Sequence, residues 1–96
     1  MNKFYIYQII HKKHVLYIGQ TDNLNRREKQ HNYHLKKGTH KELYNYLREI
    51  GITQIKLKVI KEVNSRTEAK RIEIFLILTA HFKNRKLFQK IPSIGH

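Results

Sequence analysis

Two short apolar runs joined by a His/Lys-rich connection constrain this chain more than any other feature. Tyr5-Ile6-Tyr7-Gln8-Ile9 and Val15-Leu16-Tyr17-Ile18-Gly19 flank His11-Lys12-Lys13-His14. Aromatic and β-branched residues suit a pleated, half-buried surface, so the pattern predicts a β-hairpin with a polar turn. Side chains alternate faces along a strand, which puts Tyr5 and Tyr7 on one face and Ile6 on the other. Gly19 lets the chain turn sharply out of the second strand. Antiparallel pairing would bring Tyr7 and Tyr17 side by side at one end of the sheet.

The rest of the chain reads helix, helix, strand, helix, tail. Thr21 or Asp22 can cap a first helix, and Lys36-Lys37-Gly38 is a stop. Leu24, Arg27 and His31 recur at i, i+3 and i+7 and share a face of it. Thr39 with Glu42 reads as a capping box for a second helix, whose apolar stripe is Leu43, Tyr46, Leu47 and Ile50 and which Gly51 ends. Ile55-Lys56-Leu57-Lys58-Val59 alternates as a half-buried strand does, and would pair with the hairpin. Ser65-Arg66-Thr67-Glu68 is another capping box, opening a third helix with Ala69, Ile72, Leu76 and Ala80 on its core face. Glu73 falls within that stripe. An ionised carboxylate there is costly unless a metal ion, a Lys or Arg, or open solvent compensates it.

Ninety-six residues suffice for one domain with a modest core and exclude a second. There is no cysteine, which rules out disulfides and Cys-ligated zinc. His11/His14 and His31/His34 have a spacing that zinc tolerates, without cysteines to complete a site. The longest apolar run, Ile72 to Ala80, is interrupted by Glu73 and Thr79, so no membrane span is expected. No signal region is read at the N-terminus, and the expected location is cytoplasmic. Charge points to the partner: 20 Lys and Arg against 7 Asp and Glu give +13 with His neutral. Such an excess attracts polyanions, and nucleic acid fits it better than a membrane surface. Arg26, Lys29, Lys36, Lys37 and Lys41 are the expected contacts to backbone phosphates. In the tail, Phe82-Lys83-Asn84-Arg85-Lys86-Leu87-Phe88-Gln89-Lys90 interleaves aromatics with cations. Phe82, Leu87 and Phe88 could meet nucleic acid or pack back on the sheet.

Taken in order, these residues resemble the signature of the GIY-YIG nuclease superfamily, in particular the catalytic domain of intron-encoded homing endonucleases. Tyr5-Ile6-Tyr7 stands at the first motif and Tyr17-Ile18-Gly19 at the second. Arg27 and His31 follow, then Lys37-Gly38-Thr39-His40, then Glu73 in Arg71-Ile72-Glu73-Ile74-Phe75-Leu76-Ile77. The resemblance implies an α/β (α+β) fold, a three-stranded antiparallel sheet flanked by about three helices. It makes residues 1–96 a single nuclease domain with a basic tail at about 83–96. It also implies a divalent-metal-dependent endonuclease acting on DNA, with RNA not excluded. Tyr7 would be the general base and Tyr17 would hold the nucleophile or assist Tyr7. Arg27 would bind the scissile phosphate, and His31 would support that phosphate or relay a proton, with His40 helping. Glu73 would hold one Mg²⁺ or Mn²⁺ ion. A free phenol has a pKa near 10, so Tyr7 needs nearby cations to lower it; Arg27, lysines and the metal shell are the expected source.

The sequence departs from the family pattern in three ways. Tyr5 occupies the place where the first motif normally begins with Gly. The late Asn of the family has only Asn84 and Gln89 as counterparts by spacing. No separate DNA-binding region is read, so sequence specificity is expected to be low or to come from a homodimer or a partner protein. The alternatives on the same residues are a non-catalytic nucleic-acid-binding module and a basic structural protein.

Overall fold

The hairpin forms where the apolar runs place it. A computed structural model describes residues 3–39, 41–83 and 87–89. Strands β1 (Phe4–His11) and β2 (His14–Thr21) pair antiparallel, and β3 (Lys58–Val63) pairs antiparallel with the other edge of β1. The sheet order is β2-β1-β3, so β1 is central. Helices α1 (Leu24–Lys37), α2 (Glu42–Glu49) and α3 (Arg66–Phe82) complete the architecture. No helix among the described residues is long and apolar enough to cross a membrane.

Two features of the hairpin matter later. His11 faces His14, and the two residues between them, Lys12 (φ 47°) and Lys13 (φ 72°), are both left-handed. A two-residue hairpin turn of this twist needs positive φ at both positions, where Asn-Gly is usual. Two lysines there cost about 1 kcal/mol each. The second feature is a bulge: Ile9 pairs with Tyr17 and Ile10 with Val15, leaving Leu16 as the extra residue of β2. A bulge re-aims side chains. Here it puts both Leu16 and Tyr17 against the core that contains Tyr7, while Val15 packs against the other.

The central strand divides its side chains between two cores. Tyr7 and Ile9 join Leu16, Leu35, Leu43, Tyr44, Leu47 and Ile55 under α1 and α2. Phe4 and Ile6 join Ile18, Val63, Ala69 and Ile77 under α3. Complete burial of Ile6, Leu16 and Leu47 stabilises the fold by about 2 kcal/mol each.

The helices start and stop for local reasons. Asn23, rather than Thr21 or Asp22, caps α1: its side chain accepts the Arg26 amide at 3.0 Å. Thr21 ends β2, and its hydroxyl accepts the Asn23 amide at 3.1 Å. Gly38 ends α1 in the left-handed conformation, as Lys36-Lys37-Gly38 suggested. The capping box expected at Thr39 is not formed. The Thr39 hydroxyl is engaged with His34 Nδ1 at 3.1 Å, and Lys41 stands at the cap without a side-chain bond. Arg48 ties α2 to the end of α1 by donating to the carbonyls of Leu35 and Thr39, both at 2.9 Å. The box at Ser65 is half realised, its hydroxyl accepting the Glu68 amide at 3.1 Å.

The third strand lies further along than the alternation suggested. Residues 55–57 precede the strand and are bonded to α1 instead of the sheet. Asn32 accepts from the Ile55 amide at 2.6 Å and donates to its carbonyl at 2.9 Å, while Glu28 accepts from the Leu57 amide at 2.9 Å. Sheet pairing begins at Lys58 and runs to Val63. Ile55 is still buried, as its place in the alternation requires.

Candidate active site

The site begins with Gly19. It faces Tyr7 across the β1–β2 ladder, and the Tyr7 ring lies over it. A Cβ built on Gly19 would sit 2.5 Å from the Tyr7 hydroxyl oxygen and 2.6 Å from Cζ. No side chain fits there, so the glycine of the second motif is required by close approach of the first motif's tyrosine. Tyr17, two cross-strand pairs along, lies beside Tyr7 with ring centroids 6.2 Å apart.

Helix α1 brings His31 under both phenols. Its centroid is 5.8 Å from Tyr7 and 5.4 Å from Tyr17, each edge-on. His31 is 5 % exposed, so it is a core residue and not a helix-surface one. Both ring nitrogens are engaged: Nε2 with the Tyr7 hydroxyl and Nδ1 with the Tyr44 hydroxyl, each at 2.9 Å. Burial, helped by Arg27, His34 and Lys41, pulls its pKa down to about 4. The imidazole is therefore neutral at pH 7, with one nitrogen donating and the other accepting.

Arg27 and Glu73 bring opposite charges to the same place. Burial raises the Tyr7 pKa above that of an ordinary phenol; the Tyr17 hydroxyl and the Glu73 charge add to the rise, and Arg27 opposes it. Tyr17 is raised by burial and by Glu73, with Arg27 and the neighbouring Tyr7 hydroxyl opposing. Arg27 lowers the Tyr7 pKa, as expected of a nearby cation, but desolvation outweighs the guanidinium and the net shift is upward. Arg27 has no carboxylate within ion-pair distance among the described residues. Glu73 keeps 15 % of its side chain exposed and meets Lys70 at 3.6 Å. Since Lys70 is 60 % exposed, that contact is a weak surface-type pair and leaves the carboxylate available.

The other sequence-derived candidates scatter. Lys41 lines a groove with Tyr17, Tyr44 and Phe88, next to the phenols. Arg26 and Lys29 line a separate groove along α1 with Asn25 and Tyr33, and Arg26 bonds Asp22 at 3.2 Å. Lys36 borders a neighbouring groove, and the Lys37 ammonium lies 5.9 Å from the centre of the Tyr33 ring. His40 and Asn84 lie outside the described residues, as does most of the basic tail. Gln89 does reach the site's edge: its amide accepts from the Ile18 N–H and donates to the Ile18 carbonyl, both at 2.7 Å. Phe88 packs back on the core beside Tyr46, resolving its two readings.

Tyr44 is the residue the sequence reading missed. It is 5 % exposed and closes the chain Tyr7–His31–Tyr44. Its position next to Leu43 and three before Leu47 puts it on the shoulder of the apolar stripe. The apolar stripe read from the sequence held Tyr46 and Ile50 instead, and the structure leaves Tyr46 half-buried and Ile50 exposed.

Two phenols and a neutral imidazole thus stand together beside the hairpin glycine, within electrostatic reach of a guanidinium and a carboxylate. Residues 3–86 match the family described as the GIY-YIG catalytic domain, and the chain belongs to that family. No curated protein and no solved structure matches it.

Proposed function

We propose that this chain is a divalent-metal-dependent endonuclease hydrolysing DNA phosphodiester bonds, with residues 1–96 as one nuclease domain and a basic tail from about 83. The observation that carries the reading is the buried hydrogen bond between Tyr7 and His31, a phenol coupled to a neutral imidazole beside opposite charges. Hydrolysis needs a proton taken from water, charge offset on the pentacovalent phosphate, and a stabilised leaving oxygen. Tyr7 takes the proton from water as its own hydroxyl proton passes to His31. This handover avoids a free phenolate, which the raised Tyr7 pKa makes rare at pH 7. Tyr17 holds the attacking water beside Tyr7. Arg27 presents a planar fork to the non-bridging oxygens.

Glu73 is the residue that would hold the ion. No group of three or more His, Cys, Asp or Glu able to hold a metal occurs among the described residues, which disfavours a zinc-type cage. Magnesium keeps most of its waters and is often held by one or two carboxylates, so a lone, partly exposed Glu73 fits Mg²⁺ or Mn²⁺. When bound, a divalent ion supplies charge to the phosphate and to the leaving oxygen. Lys41 is placed to hold the backbone on the same side, and Arg26, Lys29, Lys36 and Lys37 would contact flanking phosphates. One site cuts one strand, so a double-strand break requires a homodimer, a partner or a second encounter.

The test is supercoiled plasmid with Mg²⁺, with and without EDTA, beside Glu73→Ala and Tyr7→Phe. Chelator-sensitive nicking lost in both variants is expected; nicking indifferent to either variant overturns the reading. A second reading, a nucleic-acid-binding module without catalysis, is favoured by the direction of the Tyr7 shift. It predicts salt-sensitive binding by wild-type protein and no nicking. RNA competitors added to either assay decide between the two nucleic acids.

A further inference from the structure

Nothing in the chemistry above explains why His31 has a second buried partner. The Tyr44 hydroxyl lies 2.9 Å from His31 Nδ1, on the side of the ring away from Tyr7. A neutral imidazole carries one proton, and the partner of one nitrogen decides what the other can do. If Tyr44 donates to Nδ1, Nε2 carries the proton and His31 can take nothing from Tyr7. If Tyr44 accepts from Nδ1–H, Nε2 faces Tyr7 with its lone pair free.

We infer that Tyr44 is a positioning residue whose hydroxyl accepts the His31 Nδ1–H and thereby aims an unprotonated Nε2 at Tyr7. The inference rests on the endonuclease reading, because it assigns His31 the proton that Tyr7 gives up. The proton balance supports this tautomer. Water loses a proton to Tyr7, the water oxygen's electron pair forms the bond to phosphorus, and the Tyr7 hydroxyl proton moves to Nε2. His31 is then an imidazolium with two donors, one facing Tyr7 and one facing Tyr44. An acceptor at position 44 satisfies the second donor, which burial holds away from bulk solvent. The bond from phosphorus to the leaving oxygen breaks; that oxygen keeps the electron pair and takes up a proton from solvent. The imidazolium returns its proton to Tyr7, and Tyr7 releases one to water. The Tyr44 hydroxyl proton is free to point into the groove that Tyr44 lines with Lys41 and Tyr17.

The fold supplies the rigidity such a role needs. Tyr44 sits in the first turn of α2, and Arg48, one turn on, bonds the Leu35 and Thr39 carbonyls at 2.9 Å. That brace fixes α2 against α1, hence Tyr44 against His31. The groups that face His31 are Tyr7 and Tyr17 from the strands, Arg27 and His34 from its own helix, and Lys41 and Tyr44 from α2 and its cap. The cations among them disfavour a second proton on the ring without choosing a tautomer. Tyr44 makes that choice.

The test uses ¹⁵N-labelled protein, in which ring-nitrogen shifts report the His31 tautomer without any activity. Wild type at pH 7 is expected to show protonated Nδ1 and bare Nε2. Tyr44→Phe removes the acceptor and is expected to shift the tautomer towards Nε2–H. Its cleavage rate should fall about ten- to a hundredfold with little change in KM, as for loss of an outer partner that orients a reacting histidine. Tyr44→Gln, which restores an acceptor oxygen, should recover part of the tautomer and of the rate. A wild-type spectrum with protonated Nε2 overturns the inference whatever the variants do. So does a Tyr44→Phe protein that keeps both tautomer and rate. Wild-type protein that shows the expected tautomer and cuts no substrate instead defeats the endonuclease reading.

Discussion

The two halves of the site are built differently. Tyr7, His31 and Tyr44 are buried, and their polar atoms are bonded to one another. Arg27 and Glu73 are partly exposed, with no ion pair at the first and only a solvent-exposed lysine at the second among the described residues. The bonded half is complete without substrate. The charged half holds a cation and an anion with little to neutralise them among the described residues; under the proposed function they would meet a phosphate and a metal ion. This contrast separates residues whose loss should damage the fold from residues whose loss should damage only the chemistry.

The largest effect expected from this contrast is at Glu73. Glu73→Gln should reduce cleavage at least about a thousandfold, in the range of losing a main electrostatic stabiliser. Its Tm should hold or rise, because a largely buried charge whose ion-pair partner among the described residues is an exposed lysine is removed; a calorimetric Tm several degrees lower would show Glu73 to be a structural ion-pair member. Gly19→Ala strikes the bonded half. The added methyl meets the Tyr7 ring, so stability should fall by about 2 kcal/mol, and cleavage with it. A denaturant midpoint equal to wild type would mean that Tyr7 does not lie over Gly19.

The bonded half also has a pH signature. With its folded pKa pulled down to about 4, His31 binds fewer protons folded than unfolded below the ordinary value of 6.5. Its contribution is therefore complete above about pH 6.5 and is lost as pH falls towards 4, by on the order of 2 kcal/mol. Denaturant unfolding across that window should show the slope, and His31→Gln should flatten it. The smallest effect lies away from both halves. Replacing Lys12-Lys13 by Asn-Gly relieves two left-handed lysines and should add about 1 kcal/mol, with no change in cleavage. Loss of cleavage there would mean that the turn touches substrate.

What could be read beforehand, and what could not, follows from the range of the forces involved. The hairpin, the stop at Gly38 and the cap at Ser65 depend on neighbours within a few residues, so the sequence announces them. The third strand slipped because Asn32, far away on α1, holds both backbone groups of Ile55. The cap at Thr39 failed because His34 took its hydroxyl first. Tyr7, Tyr17, Arg27, His31 and Glu73 were legible as a set through a family resemblance, whereas periodicity alone singled out only Glu73. Tyr44 was not legible, since its role depends on which of two neighbouring tyrosines turns inward. The rise of the Tyr7 pKa was also out of reach: it depends on how dry the phenol is, and counting cations says nothing of dryness.

Phe88 and Gln89 have a consequence beyond the site. The Phe88 amide donates to the Leu16 carbonyl at 2.9 Å, and the Gln89 side chain takes both backbone groups of Ile18. These are the outward-facing positions of β2 that an incoming strand would seek. A second molecule extending the sheet must first dislodge them, so strand-to-strand association is turned away from β2 and left to β3, whose outer edge pairs with no strand among the described residues.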